Sequence, residues 1–184
     1  NQQNLLLRGT SGTIPDMITY RQRAGKTIIS KKRGKSSVPA TDTQLGIQEQ
    51  FRKAVAWAKG AIKDPVVKAM YRAKAALGQS AFNMATADAY NPPKVDGIRT
   101  DGYHGAVGDT ITVKATDDFA ITGLTVSIAS AAGDLIESGD AVMQINETDW
   151  LYTATKANAA PAGSKITATA KDGPGNSTAF SVTL

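Results

Sequence analysis

The chain has 184 residues, no cysteine, one histidine, and 21 Lys+Arg against 16 Asp+Glu, for a formal net charge of +5. That length can bury one large core or two small ones, and the lack of cysteine excludes a disulfide framework, a thiolate metal site and a cysteine nucleophile. The charge is split along the chain: residues 1–92 carry 15 Lys+Arg against 5 Asp+Glu, net +10, whereas residues 93–184 carry 6 against 11, net −5.

The apolar run nearest the start, Leu5 to Leu7, is too short for a signal-peptide core or a membrane span. No membrane span is therefore expected, and the compartment stays open. "MITYRQ" and "KTIISK" then flank "RAG", where Gly25 supplies the positive φ that tight hairpin loops need. Residues 1–40 are expected to hold an N-terminal strand and a β-hairpin with flexible flanks. The hairpin is strongly basic: seven of the fifteen residues in "RQRAGKTIISKKRGK" are cations, and no acid occurs between Asp16 and Asp42.

From Thr41 the period changes to helical. Thr41 with Gln44 fits a capping box, after which Leu45, Phe51, Ala54, Val55, Ala58 and Ile62 recur on one face. Asp64–Pro65 reads as the cap and first turn of a second helix that runs through Tyr71 and Leu77 to Gly78. Ser80 caps a third, "AFNMATADAY", which Pro92 and Pro93 end. Residues 41–92 thus read as a three-helix cluster with Phe51, Trp57 and Tyr71 in its core. Beyond the prolines, "DTITVKATDD", "ITGLTVSIAS", "AVMQIN", "DWLYTATK", "SKITATAKD" and "STAFSVTL", with "KVDGIRTDGYHG" in front, alternate apolar and polar residues between turn signals such as "AAGD", "ESGD" and "DGPGN". Residues 93–184 read as about seven strands at sandwich spacing.

"ATDDFAITGLTVSI" followed by "ATAKDGPGNSTAFSVTL" resembles the bacterial immunoglobulin-like domains, which carry an Ala-x-Asp-Asp segment after one strand and an Asp-x-x-Gly-Asn turn before the last. "SGTIPDMITYRQRAGKTIIS", "FRKAVAWAKGAIKDPVVKAMYRAKA" and "SAFNMATADAYNPP" resemble an uncharacterised bacterial family of hairpin plus helices, for which no activity carries over. The expected fold class is α+β in two domains: an N-terminal β-hairpin with a three-helix cluster, then a C-terminal all-β immunoglobulin-like sandwich. The resemblance implies a bacterial surface or virion setting, where such domains are common decorations.

Catalysis finds little support. His104, in the Gly-rich "DGYHGAVGD", lacks the further ligands or nucleophile that metal-assisted or acyl-transfer chemistry needs. No enzyme activity and no cofactor are expected. Asp117, Asp118, Asp172 and Asn176 offer the oxygens that hard cations such as Ca²⁺ take, but the same residues cap turns through the backbone, and turn capping is the preferred reading. Trp150 and Tyr152 alternate on one strand. Facing inward they pack a core, and facing outward they would form a glycan-binding patch.

The candidate partner-binding residues are Tyr20, Arg21, Arg23, Lys26, Ile28, Ile29, Lys31, Lys32, Arg33 and Lys35. One reading is nucleic-acid binding, with cations neutralising phosphates. A second is a charged edge that resists aggregation. The third, preferred here, is a structural subunit that pairs its basic half with the acidic half of another copy and supplies a β element to a neighbour. The expected partners are copies of itself, then other structural proteins, with nucleic acid as the alternative to assembly. A glycan-binding adhesin is the remaining alternative.

Overall fold

The computed structural model describes residues 10–14, 17–23, 25–31 and 38–184. Lys32, Arg33 and Lys35 of the basic run lie outside the described residues, as do Leu5 to Leu7.

The first element is a three-stranded antiparallel sheet of β1 (Gly12–Ile14), β2 (Ile18–Arg23) and β3 (Lys26–Lys31), in that spatial order. Gly25 turns the β2–β3 hairpin at φ 73°. Three helices follow: α1 (Asp42–Ala61), α2 (Pro65–Lys74) and α3 (Ala81–Tyr90). Thr41 and Gln44 form a reciprocal capping box on α1, Asp64 Oδ1 accepts from the backbone N–H groups of Val66 and Val67, and Ser80 caps α3. These side chains satisfy N–H groups that helix starts leave unpaired.

Eight further strands build two four-stranded antiparallel sheets. They are β4 (Lys94–Arg99), β5 (Thr110–Thr116), β6 (Ile121–Ala129), β7 (Leu135–Asp140), β8 (Val142–Met143), β9 (Asp149–Thr153), β10 (Lys165–Asp172) and β11 (Ser177–Thr183). One sheet runs β11-β10-β6-β7 and the other β4-β5-β9-β8. Their inner faces follow the two-residue period of a strand: Ile111, Val113 and Ala115 on β5 meet Leu124, Val126 and Ile128 on β6 and Ile166, Ala168 and Ala170 on β10 in one buried core. Trp150 and Tyr152 on β9 point into that core, so they form no exposed aromatic patch.

The expected fold class is corrected by this architecture. Among the described residues there are eleven strands in three sheets, and the predicted hairpin is two-thirds of a three-stranded sheet. The helices also do not stand apart from the strands that follow them. Their core of Ala58, Tyr71, Ala81 and Ala85 takes in Phe119 from the β5–β6 loop, with the Tyr71 and Phe119 rings 4.3 Å apart. Lys74 closes the same contact, donating to the Phe119 carbonyl and lying over its ring. Two smaller corrections are local. Helix α2 ends at Lys74 and leaves Leu77 exposed, while Gly78, at φ 82°, serves the turn beyond it.

The second is β7, whose "ESGD" reads in sequence as a divider. Glu137 occupies an inward position on it, paired with Ile128 across the ladder, and a charge there breaks the apolar alternation. Its Oε2 accepts from the backbone N–H groups of Thr155 and Lys156 and from the Thr155 hydroxyl. Burial pushes this carboxyl up, but the Thr155 and Lys156 donors with the Tyr152 hydroxyl outweigh it and hold it below the ordinary 4.5. A depressed carboxyl stabilises the fold above its unfolded pKa, and that contribution is lost as pH falls through the folded value. Glu137→Gln is therefore expected to cost about 1–3 kcal/mol at neutral pH and progressively less in acid, measured by urea unfolding across a pH series.

Candidate functional site

Two places in the molecule carry unexplained chemistry. The first is the N-terminal sheet. The register pairs Tyr20 with Ile29 and Ile14 with Ile18, and sets Arg21 opposite Ile28 and Arg23 opposite Lys26. Because side chains alternate across a sheet, Ile14, Ile18, Tyr20 and Ile29 share one face, and Arg21, Arg23, Lys26 and Ile28 share the other. On the apolar face, Ile14 is 43% and Ile29 50% exposed among the described residues. Lys31 falls on that apolar side at the end of the edge strand β3.

A matching set of groups lies at the edges of the stacked sheets. Strands β7 and β8 are edge strands of their respective sheets, and Leu135, Val142, Met143 and Ile145 are exposed along them. Asp134, Asp140 and Glu147 are exposed beside these residues in the chain. Apolar side chains and acids therefore occur together on two adjoining strand ends.

The second place is the join between α3 and the sheets. Oxygens from Asp88 on α3, Asp117 after β5 and Asp172 at the end of β10 all lie within 4.8 Å of one another. Asp172 serves as a turn cap, accepting from the Gly175 and Asn176 N–H groups and from the Asn176 side-chain amide. That amide also reaches the Ala89 carbonyl at the end of α3. Asp117 Oδ2 accepts from the Phe119 and Ala120 N–H groups, and Asp88 Oδ2 accepts the Tyr71 hydroxyl at 2.5 Å. The other oxygens of Asp88 and Asp117 are buried without a partner.

Asp88 is 1% exposed. Burial, together with the neighbouring Asp117 and Asp172 charges, pushes its carboxyl up to about 6 although the Tyr71 hydrogen bond opposes the rise. Burial and the same hydrogen bond push the Tyr71 phenol far above its ordinary value. Of the sequence-derived cation candidates, Asp117 and Asp172 meet and Asn176 orients Asp172. Asp118 is exposed and instead accepts from the Asn91 side chain. Asp88 was missed, although it continues the buried Ala81–Ala85 stripe of α3 and an acid on a buried stripe is a readable signal.

The remaining candidates resolve simply. His104 is exposed, and its backbone N–H and that of Ala106 donate to Asp109. Gly105 turns at φ 92°, and a Cβ there would lie 2.3 Å from the Asn158 carbonyl, so the Gly-rich segment serves a tight loop. Phe51 is 53% exposed rather than buried, edge-on to Tyr90. Among the described residues no helix is long and apolar enough to cross a membrane.

No protein-family model matches the chain, and comparison with curated proteins finds no match. Among solved structures the chain is similar to CopC from Methylosinus trichosporium OB3b, at 11% identity and a TM-score of 0.36 over 50% of this chain and 89% of that one. It is also similar to an engineered protein at 16% identity and a TM-score of 0.33, over 60% of this chain and 30% of that one. Likeness at this level leaves the site to be read from its own geometry.

Proposed function

We propose that the chain is a non-enzymatic structural subunit that joins copies of itself, the N-terminal sheet of one copy docking on the β7–β8 edge of the next. The observation that carries this reading is the two-faced N-terminal sheet: among the described residues its apolar face leaves Ile14 and Ile29 about half exposed, and a small sheet needs a second layer to be stable. Complementarity supports the choice of occupant. The sheet is basic and apolar with β3 at its edge, and the β7–β8 edge is acidic and apolar. Edge-to-edge pairing would add main-chain hydrogen bonds, and a head-to-tail contact between unlike surfaces builds rings or filaments.

The opposite face, with Arg21, Arg23 and Lys26, favours nucleic acid as the second reading. Two sets of substitutions separate them. Tyr20→Asp with Ile29→Asp is expected to abolish self-association. Arg21→Glu, Arg23→Glu and Lys26→Glu together should weaken it only partly. If the charge reversals remove DNA binding and the apolar substitutions leave sedimentation unchanged, assembly through this sheet is wrong.

A further inference from the structure

The Asp88–Asp117–Asp172 cluster is independent of the N-terminal sheet, and turn capping accounts for only part of it. Capping engages Asp172 and one oxygen of Asp117. It leaves buried and unpartnered an oxygen on Asp117 and another on Asp88. An unpaired carboxylate oxygen away from water is costly. Asp88 also stands in the last turn of α3, where the negative end of the helix dipole adds to the repulsion from its two neighbours. A turn-capping group has no need of such an arrangement, since Asp88 caps nothing.

We propose that Asp88, Asp117 and Asp172 bind a hard divalent cation of the Ca²⁺ type and thereby fasten α3 to the β5–β6 loop and the end of β10. The donors are all carboxylate oxygens, the chemistry that selects Ca²⁺, Mg²⁺ or Mn²⁺ over softer metals. Three acids converging in a largely buried place favour Ca²⁺, because Mg²⁺ dehydrates reluctantly and keeps several waters. The cluster also has the supporting contacts that orient metal ligands: the Tyr71 hydroxyl holds one Asp88 oxygen, and the Asn176 amide holds Asp172.

The competing account is a proton shared among the three acids, and the intact chain can distinguish them. After treatment with EDTA at pH 7, Ca²⁺ is expected to raise the thermal midpoint by several degrees and to titrate calorimetrically as one ion per chain. Tb³⁺ should show emission sensitised by the adjacent Tyr71 ring and displaced by Ca²⁺. Asp88→Asn and Asp117→Asn should each remove the Ca²⁺ response. Should either variant fail to fold, the Tb³⁺ displacement on the unaltered chain still decides. An unchanged midpoint with Ca²⁺, absence of Tb³⁺ emission, or a larger response to Mg²⁺ than to Ca²⁺ overturns the assignment.

Discussion

Trp150→Ala should destabilise the stacked sheets by about 3–5 kcal/mol, whereas Phe51→Ala should cost less than about 1 kcal/mol. The two aromatics look alike in sequence, each on the apolar phase of its element. Trp150 is 6% exposed, pairs with Val113 across the β5–β9 ladder and belongs to the larger core. Removing it leaves a cavity among side chains that cannot collapse. Phe51 lies beside the C-terminal end of α3, edge-on to Tyr90, and the turns of α1 before it reach beyond that end. At 1.5 Å per residue α1 is about 30 Å long and α3 about 15 Å, so the early turns of α1 have less to pack against. Leu45, Ile47 and Phe51 are all about half exposed there. Phe51 borders an open groove of about 510 Å³ with Phe82 and Tyr90, and truncation there removes a half-exposed ring and its edge contact with Tyr90. Chemical denaturation of both variants measures the contrast, and equal losses would mean that the α1 stripe is covered in solution.

Removing residues 1–40 is expected to abolish self-association without unfolding the remainder. Among the described residues the helix core and the sheet core are assembled from Ala54 onward and draw no buried residue from the N-terminal sheet. A truncated chain should therefore keep its cooperative thermal transition and sediment as a monomer. Loss of that transition would mean that the N-terminal sheet completes a core, in which case its apolar face serves the fold of its own chain.

Local signals were the legible part of this molecule. The caps at Thr41, Asp64 and Ser80 are written within three or four residues of the N–H groups they bind, and all three mark helix starts in the structure. Alternation marks β5, β6 and β10 as strands because nothing charged falls at an inward position on them before Asp172. Where a buried acid interrupts a pattern, sequence reading fails: Glu137 hid β7. Asp88 went unread because its meaning depends on Asp117 and Asp172, which join it only through the docking of α3 on the sheets. Gly78 misled for a different reason, since a positive φ suits a free turn as well as a helix end. The basic run was legible as charge but not as two faces, because the face of each cation depends on strand register.

Self-association through the N-terminal sheet is the central claim, and sedimentation velocity of the intact chain over a wide concentration range at physiological salt tests it most directly. The account predicts species larger than a monomer that grow with concentration and disappear in the Tyr20→Asp, Ile29→Asp variant. A single monomeric species at every concentration would contradict it. If that monomer also bound DNA with an affinity falling steeply with salt, by about 0.9 in log–log slope per phosphate contact, the basic face would belong to nucleic acid instead.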